Sequence, residues 1–273
     1  MKYQGQVRKL QARLASPVEY TLPLGEQCIA LNPLLGADLQ LRYTGNIRCT
    51  HCGRATNKSF SQGYYYPCFQ TLAQCDSCII APERFHYAAG TCREPVWAVH
   101  YCMQDHIVYL ANSSGLKVGI TRASQVPIRW LDQGASQALA IVRTRTRQQA
   151  GFCEVVLKQH VTDRTNWRNM LKNEPDTLDM QAEATKLLAE CAPELEELRT
   201  RFGLQAISIL NGIQPLDINY PVRSRAEKFQ SHDLEKEPLL SGTLRGIKGQ
   251  YLMLGERVIN IRKYTGYELE LEC

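Results

Sequence analysis

Two pairs of cysteines, Cys49 with Cys52 in CTHC and Cys75 with Cys78 in CDSC, stand 22 residues apart. A CxxC turn offers two sulfurs from one tight loop, and two such turns supply the four thiolates that a tetrahedral zinc ion prefers. The chemistry expected of these residues is metal binding, and the site is structural when protein ligands fill all four positions. The residues between, including SFSQGYYYPCF, are aromatic and strand-like, so residues 48–104 are expected to form a zinc-ribbon-like module. His86, Cys92, Cys102 and His106 follow at irregular spacing, with Cys68, His51 and His100 as further candidates. They suggest a second zinc whose ligand set stays open between these residues, against buried thiols and surface histidines.

The composition decides what else the cysteines could do. Eleven cysteines is an odd number, and the first residues, MKYQGQVRKLQARL, lack the apolar stretch of a signal peptide. A cytoplasmic location is therefore expected, where thiols stay reduced and disulfides are a poor explanation. Apolar runs such as ALAIV at 138–142 fall far short of a bilayer span, so no membrane partner is expected. With 44% hydrophobic residues the chain can bury a substantial core. Its net charge of +5, from 32 basic and 27 acidic residues, is too mild to imply nucleic acid alone. The distribution says more: Lys117, Arg122 and Arg129 precede RTRTR, which holds Arg143, Arg145 and Arg147. This cluster is the candidate phosphate-gripping face, set against the plainer reading of solvated surface charge.

The elements that must position these residues are short. HIVYLANSSGLKVGIT reads as a hairpin turning at NSSG, and Pro127 can open a helix carrying Arg129 and Trp130. ALAIVRTRT reads as a third strand. A helix follows over QQAGFCEVVLKQHV, with Phe152, Val155 and Val156 facing the sheet and Glu154 near its start. This order resembles the GIY-YIG nuclease superfamily, with IVYL as the first motif and KVG as the second. The resemblance implies catalytic roles for Tyr109, Lys117, Arg129, Glu154 and Asn166, with Gly119 at the motif glycine and Mg²⁺ or Mn²⁺ as the catalytic cation. The departures are His106 or Ile107 where the first motif has glycine, and Lys117 in place of the second tyrosine. The longer series CDSC, GTCREPVW, VYLANSSGLKVGITR, RWLDQGA and DRTNW is also similar to an uncharacterised bacterial family, a domain of unknown function.

The flanks read as strands and helices without chemistry of their own. Residues 1–47 and 241–273 alternate apolar and polar side chains between Gly and Pro, and LGADLQLRYTG at 35–45 faintly echoes LGERVINIRKYTG at 254–266. If the echo is real, the two ends build similar strand pairs or complete one small barrel, with the rest inserted. Residues 173–240 read as a helical spacer and linker, with Leu187, Leu188, Cys191, Leu195 and Leu198 at helical spacing and a break at Pro193. The expected fold is α+β: a β-rich segment 1–47, a zinc module 48–104, a GIY-YIG-like domain 105–172 on a mixed or antiparallel three-stranded sheet, the spacer 173–240 and a β-rich end 241–273. The expected function is a zinc-containing nucleic-acid-binding protein with metal-dependent phosphodiester hydrolysis. The alternative is a non-cutting nucleic-acid-binding or protein-docking module using the same basic face and ribbon, in which the tyrosines at 64–66 stack on bases.

Overall fold

Strand β1 (Lys2–Gln6) opens the chain and is followed by β2 (Gln11–Arg13), β3 (Glu19–Leu24) and β4 (Gln27–Ala30), which make a three-stranded antiparallel sheet in that order. The computed structural model describes residues 1–172, 176–226 and 228–273; residues 173–175 and 227 of the expected spacer lie outside the described residues. Strand β5 (Asp38–Ile47) buries Leu39 and Leu41 and exposes Asp38, Gln40 and Arg42, the period-two pattern of a sheet with one face in a core. The chain then leaves this outer unit, which consists of residues 1–70, 131–134 and 218–273.

The second unit, residues 71–130 and 135–217, is inserted within the first. Between β5 and the hairpin the chain forms helix α1 (Tyr66–Thr71), four short 3₁₀ turns and helix α2 (Pro95–Tyr101). The strand-like reading of YYYPCF is corrected here. Pro67 falls at the start of α1, where its missing N–H costs nothing, and the only ladder in this stretch is the single bridge Phe60 to Tyr64.

Strands β6 (His106–Asn112) and β7 (Leu116–Arg122) form the expected hairpin, followed by helix α3 (Ile128–Asp132) and strand β8 (Gln137–Thr144). Strand β8 pairs antiparallel with β6, leaving β7 at the edge. Helix α4 (Arg147–Leu157) starts at the last arginine of RTRTR because Thr146 and Gln149 form a reciprocal capping box. Its buried residues are Ala150, Gly151, Cys153 and Leu157, with the expected Phe152 and Val156 partly buried against the same core; small side chains let the helix lie close to its neighbours. Gly151 has no room for a side chain, since a Cβ there would sit 2.6 Å from the Glu83 nitrogen. Helix α5 (Trp167–Lys172) is followed by α6 (Met180–Glu190) and α7 (Ala192–Phe202), where Pro193 sits in the first turn and marks a new helical start. Leu187, Cys191, Leu195 and Leu198 join Val108, Leu110, Val118 and Leu139 in the core of this unit. Strands β9 (Ile207–Ile209) and β10 (Leu216–Asp217) extend the sheet by pairing with β8, making it five-stranded rather than three-stranded.

The chain returns to the outer unit through β11 (Gln230–Ser231), β12 (Leu239–Lys248), β13 (Tyr251–Leu254), β14 (Arg257–Asn260) and β15 (Tyr267–Glu272). Both chain ends share one seven-stranded sheet in the order β1-β15-β5-β12-β13-β14-β11. The echoed segments take different shapes: Asp38–Ile47 is one long strand, whereas its counterpart breaks after Asn260, whose side chain caps the 3₁₀ turn Ile261–Tyr264. No helix among the described residues is long and apolar enough to cross a membrane.

Candidate functional site

The first CxxC turn closes on itself through backbone bonds. Gly53 N–H donates to the Cys49 carbonyl and Cys49 N–H to the Arg54 carbonyl, both at 2.9 Å, with Gly53 at a φ of 72° that favours glycine. A bridge between Arg48 and Ala55 makes the turn the tip of a small hairpin beyond β5. The sulfurs of Cys49, Cys52 and Cys68 lie within 4.8 Å of one another. Sulfurs about 2.3 Å from a tetrahedral zinc stand about 3.8 Å apart, so small adjustments let one ion take all three. Burial raises the Cys49 thiol, but the N–H groups of Cys52, Tyr65 and His51 more than offset this and lower it to about 7. Cys68 is pushed up to about 12 by burial and by hydrogen bonds with Cys52 and Cys49. Cys49 is therefore the sulfur most ready to ionise, and the thiolate is the form that binds a metal. Cys68, a spare candidate in the sequence, is brought in by helix α1.

Cys75 and Cys78 belong to the inserted unit. Cys75 is buried at the end of the 3₁₀ turn 73–75, and Cys78 groups with Asp76 and His86. That second group is already engaged in other bonds. Asp76 pairs with Arg93 at 3.0 Å and with His86 Nε2 at 3.4 Å, while His86 Nδ1 lies 2.8 Å from the Thr91 hydroxyl. Cys102, with Cys92 beside it, packs with Cys78 around Phe85 and Ala98. Burial, then the nearby Asp76 and Cys102, push Cys78 up to about 11. His106 is fully buried in β6, its Nδ1 2.7 Å from the Gln104 carbonyl, and burial lowers it to about 4. The second zinc expected from His86, Cys92, Cys102 and His106 thus has weaker geometric support than the three-cysteine group.

The β6–β7 hairpin builds a different site. Tyr109 stands directly across from Gly119, and Lys117, two residues earlier on β7, shares their face. A Cβ on Gly119 would lie 2.8 Å from the Tyr109 hydroxyl and 2.9 Å from Cζ, so glycine is required where the phenol ring crosses the strand. Tyr109 is fully enclosed and its ring meets Trp130 at 5.8 Å, which makes it a wall of the site rather than an exposed proton carrier. At the free edge of β7, Thr162 bridges in parallel with Lys117, and the Thr162 carbonyl accepts Val118 N–H at 2.9 Å. This edge contact brings Asp163 beside Lys117. Asn166 is drawn elsewhere: its Oδ1 accepts the N–H groups of Arg168 and Asn169 and starts helix α5.

Lys117, only 4% exposed, is lowered to about 8 by burial and by Arg129, against Asp163 and Glu154. Glu154 is raised to about 6 by burial, with Asp163 raising it further and Lys158, Arg147 and Arg129 pulling it down. Five charged groups from four segments thus share one electrostatic environment: Lys117 on β7, Arg129 on α3, Arg147 and Glu154 on α4, and Asp163 after it. Asp163 was legible only as part of DRTNW, where the sequence drew attention to Asn166 instead.

The basic run RTRTR splits. Arg143 donates through Nε to Asp105 at 2.8 Å, and Arg145 donates to Gln205 at 3.1 Å; both point to solvent. Arg147 turns inward at the first position of α4. Arg122 lies over the Tyr101 ring at 4.4 Å.

The depressed Lys117 and elevated Glu154 have opposite consequences for stability. The folded state sheds the Lys117 proton at about 8 while the unfolded chain keeps it until about 10.5, so stability rises with pH across that interval. Glu154 keeps its proton to about 6, against about 4.5 unfolded, so its contribution falls as pH rises through that range. Lys117→Met is expected to stabilise the protein by about 1–3 kcal/mol at pH 7 and to flatten the rise between pH 8 and 10.5. Urea unfolding at pH 7 and pH 9.5 checks this, and an unchanged slope with no gain at pH 7 would contradict the burial of the ammonium.

These features define an α+β protein with a candidate thiolate metal centre and a separate polar cluster at a sheet edge. The chain belongs to the family described as "Protein of unknown function (DUF2797)", which matches residues 36–269. Searches of curated proteins and of solved structures gave no match.

Proposed function

We propose that this protein binds nucleic acid through the inserted unit and hydrolyses its phosphodiester backbone there, with the three-cysteine group holding a structural zinc. The observation that supports the reading is the convergence of Lys117, Arg129, Glu154 and Asp163 at the free edge of β7. Packing alone does not call for two cations and two carboxylates in one partly desolvated place. The order of the residues on hairpin, helix, strand and helix is that of the GIY-YIG resemblance.

Glu154 and Asp163 would be the oxygen donors for one Mg²⁺ or Mn²⁺, a hard cation that keeps several waters of its own. When bound, such an ion polarises a phosphoryl oxygen and stabilises the charge on the leaving group. Arg129 holds the scissile phosphate by paired donors. Lys117, lowered to about 8, is neutral in roughly a tenth of molecules at pH 7 and can take the proton of the attacking water. Tyr109 positions the hairpin by closing over Gly119.

The test is binding and cleavage of single- and double-stranded DNA and RNA. Affinity is expected to fall steeply with salt as counterions are released, and cleavage to require Mg²⁺ or Mn²⁺ and stop in EDTA. Salt-dependent binding without cleavage of any substrate would favour the non-cutting module. Absence of binding at low salt would reject the reading altogether.

A further inference from the structure

A cleft of about 190 Å³ in the inserted unit is lined by Ile79, Trp97, Tyr101, Cys102, Arg122 and Arg147. One wall is aromatic: the Trp97 and Tyr101 rings stack at 4.3 Å with planes 7° apart, and the Arg122 guanidinium covers Tyr101. Arg147 enters from the start of α4. Its terminal N–H donates to the Ile79 carbonyl at 2.6 Å, while its buried Nε has no hydrogen-bond partner. Among the described residues no carboxylate forms an ion pair with Arg122 or Arg147. Two guanidinium groups with no carboxylate in ion-pair contact, one holding a buried unsatisfied donor, favour an anion at the cleft. The volume is smaller than the roughly 300 Å³ or more of a drug-sized pocket and suits a single base with its phosphate at the mouth.

We propose that the cleft is a nucleotide subsite, with the base against the Trp97–Tyr101 wall and the phosphate between Arg122 and Arg147. Stacking is tolerant of base identity, so affinity comes from the phosphate and the flat ring rather than from a particular base. The same chemistry is presented by a free nucleoside monophosphate and by the phosphorylated end of a nucleic-acid strand. Arg147 also lies in the field of Glu154, so a strand end held here would lead toward the sheet-edge cluster. Only that second source rests on the proposed nucleic-acid function.

The test uses the full chain with 5′-AMP, adenosine and a 5′-phosphorylated oligonucleotide, read by tryptophan emission and by calorimetry. AMP is expected to bind saturably, and adenosine about tenfold or more weakly, because it lacks the phosphate. Arg122→Gln is expected to weaken AMP by a similar factor, and Trp97→Phe to remove the emission change while calorimetry still detects binding. Equal affinity for AMP and adenosine on the wild-type protein would overturn the proposal without recourse to a variant. So would wild-type affinity in a folded Arg122→Gln. An oligonucleotide that binds more tightly than AMP identifies the strand end as the ligand, and AMP alone identifies the free nucleotide. AMP binding in a protein that cuts nothing would leave the subsite standing and reject the hydrolase; cleavage with no nucleotide binding would do the reverse.

Discussion

Glu154→Gln is expected to abolish phosphodiester cleavage while leaving nucleic-acid affinity within about threefold of the wild-type value, because the carboxylate serves the cation and not the phosphate. The substitution keeps shape and removes charge, and a partly buried glutamate whose ionisation is already disfavoured by its surroundings costs little stability when made neutral. The pH dependence carries the same signature. Glu154 is raised to about 6 and Lys117 lowered to about 8, so wild-type cleavage is expected to climb as pH rises from about 6 to about 8. Arg129→Gln behaves differently: it is expected to weaken binding and cleavage together, since a guanidinium on the phosphate acts in ground and transition states alike. Cleavage assays and salt-controlled binding on the two variants separate these roles. Activity that survives Glu154→Gln at wild-type rates would place the chemistry elsewhere.

The second large effect concerns the thiols. Protein purified without added metal is expected to contain at least one equivalent of zinc, and Cys68→Ser to lose it. The melting temperature is expected to fall by about 10 °C or more, because a metal bound only by the folded chain adds its binding free energy to stability. Cys28→Ser, at an exposed cysteine outside the group, is expected to keep both metal and melting temperature. Elemental analysis and thermal melts of the two variants are sufficient. Full zinc content in Cys68→Ser would show that the third sulfur is not a ligand.

What the sequence revealed and what it hid follow from the range of the interactions. The Cys49–Cys52 turn was legible because its geometry is made by residues within one loop. Cys68 was ranked low because its pairing depends on helix α1 forming where aromatic residues suggested a strand. The hairpin of β6 and β7 was readable from alternation around NSSG, and with it the facing of Tyr109 and Gly119. The strands β9 and β10 were not read, since two or three residues give no period to detect. Asp163 escaped notice because only a bridge between Thr162 and Lys117, 45 positions apart in the chain, brings it to the site. The cleft of Trp97, Arg122 and Arg147 draws on three separate segments, and no local pattern joins them.

The pairing of β5 with β12 and β15 has a consequence for how the chain is made. When β5 leaves the ribosome, the strands that flank it in the final sheet are roughly 190 residues from being synthesised, which at typical rates is about 10–40 s. During that interval Leu39 and Leu41 have no sheet to enter, whereas the inserted unit has all its strands and helices and can fold first. The outer sheet is then closed last by contacts of very high sequence separation, such as Lys2 with Glu272. The nascent outer unit is therefore the part whose apolar strand surface waits longest for its partners.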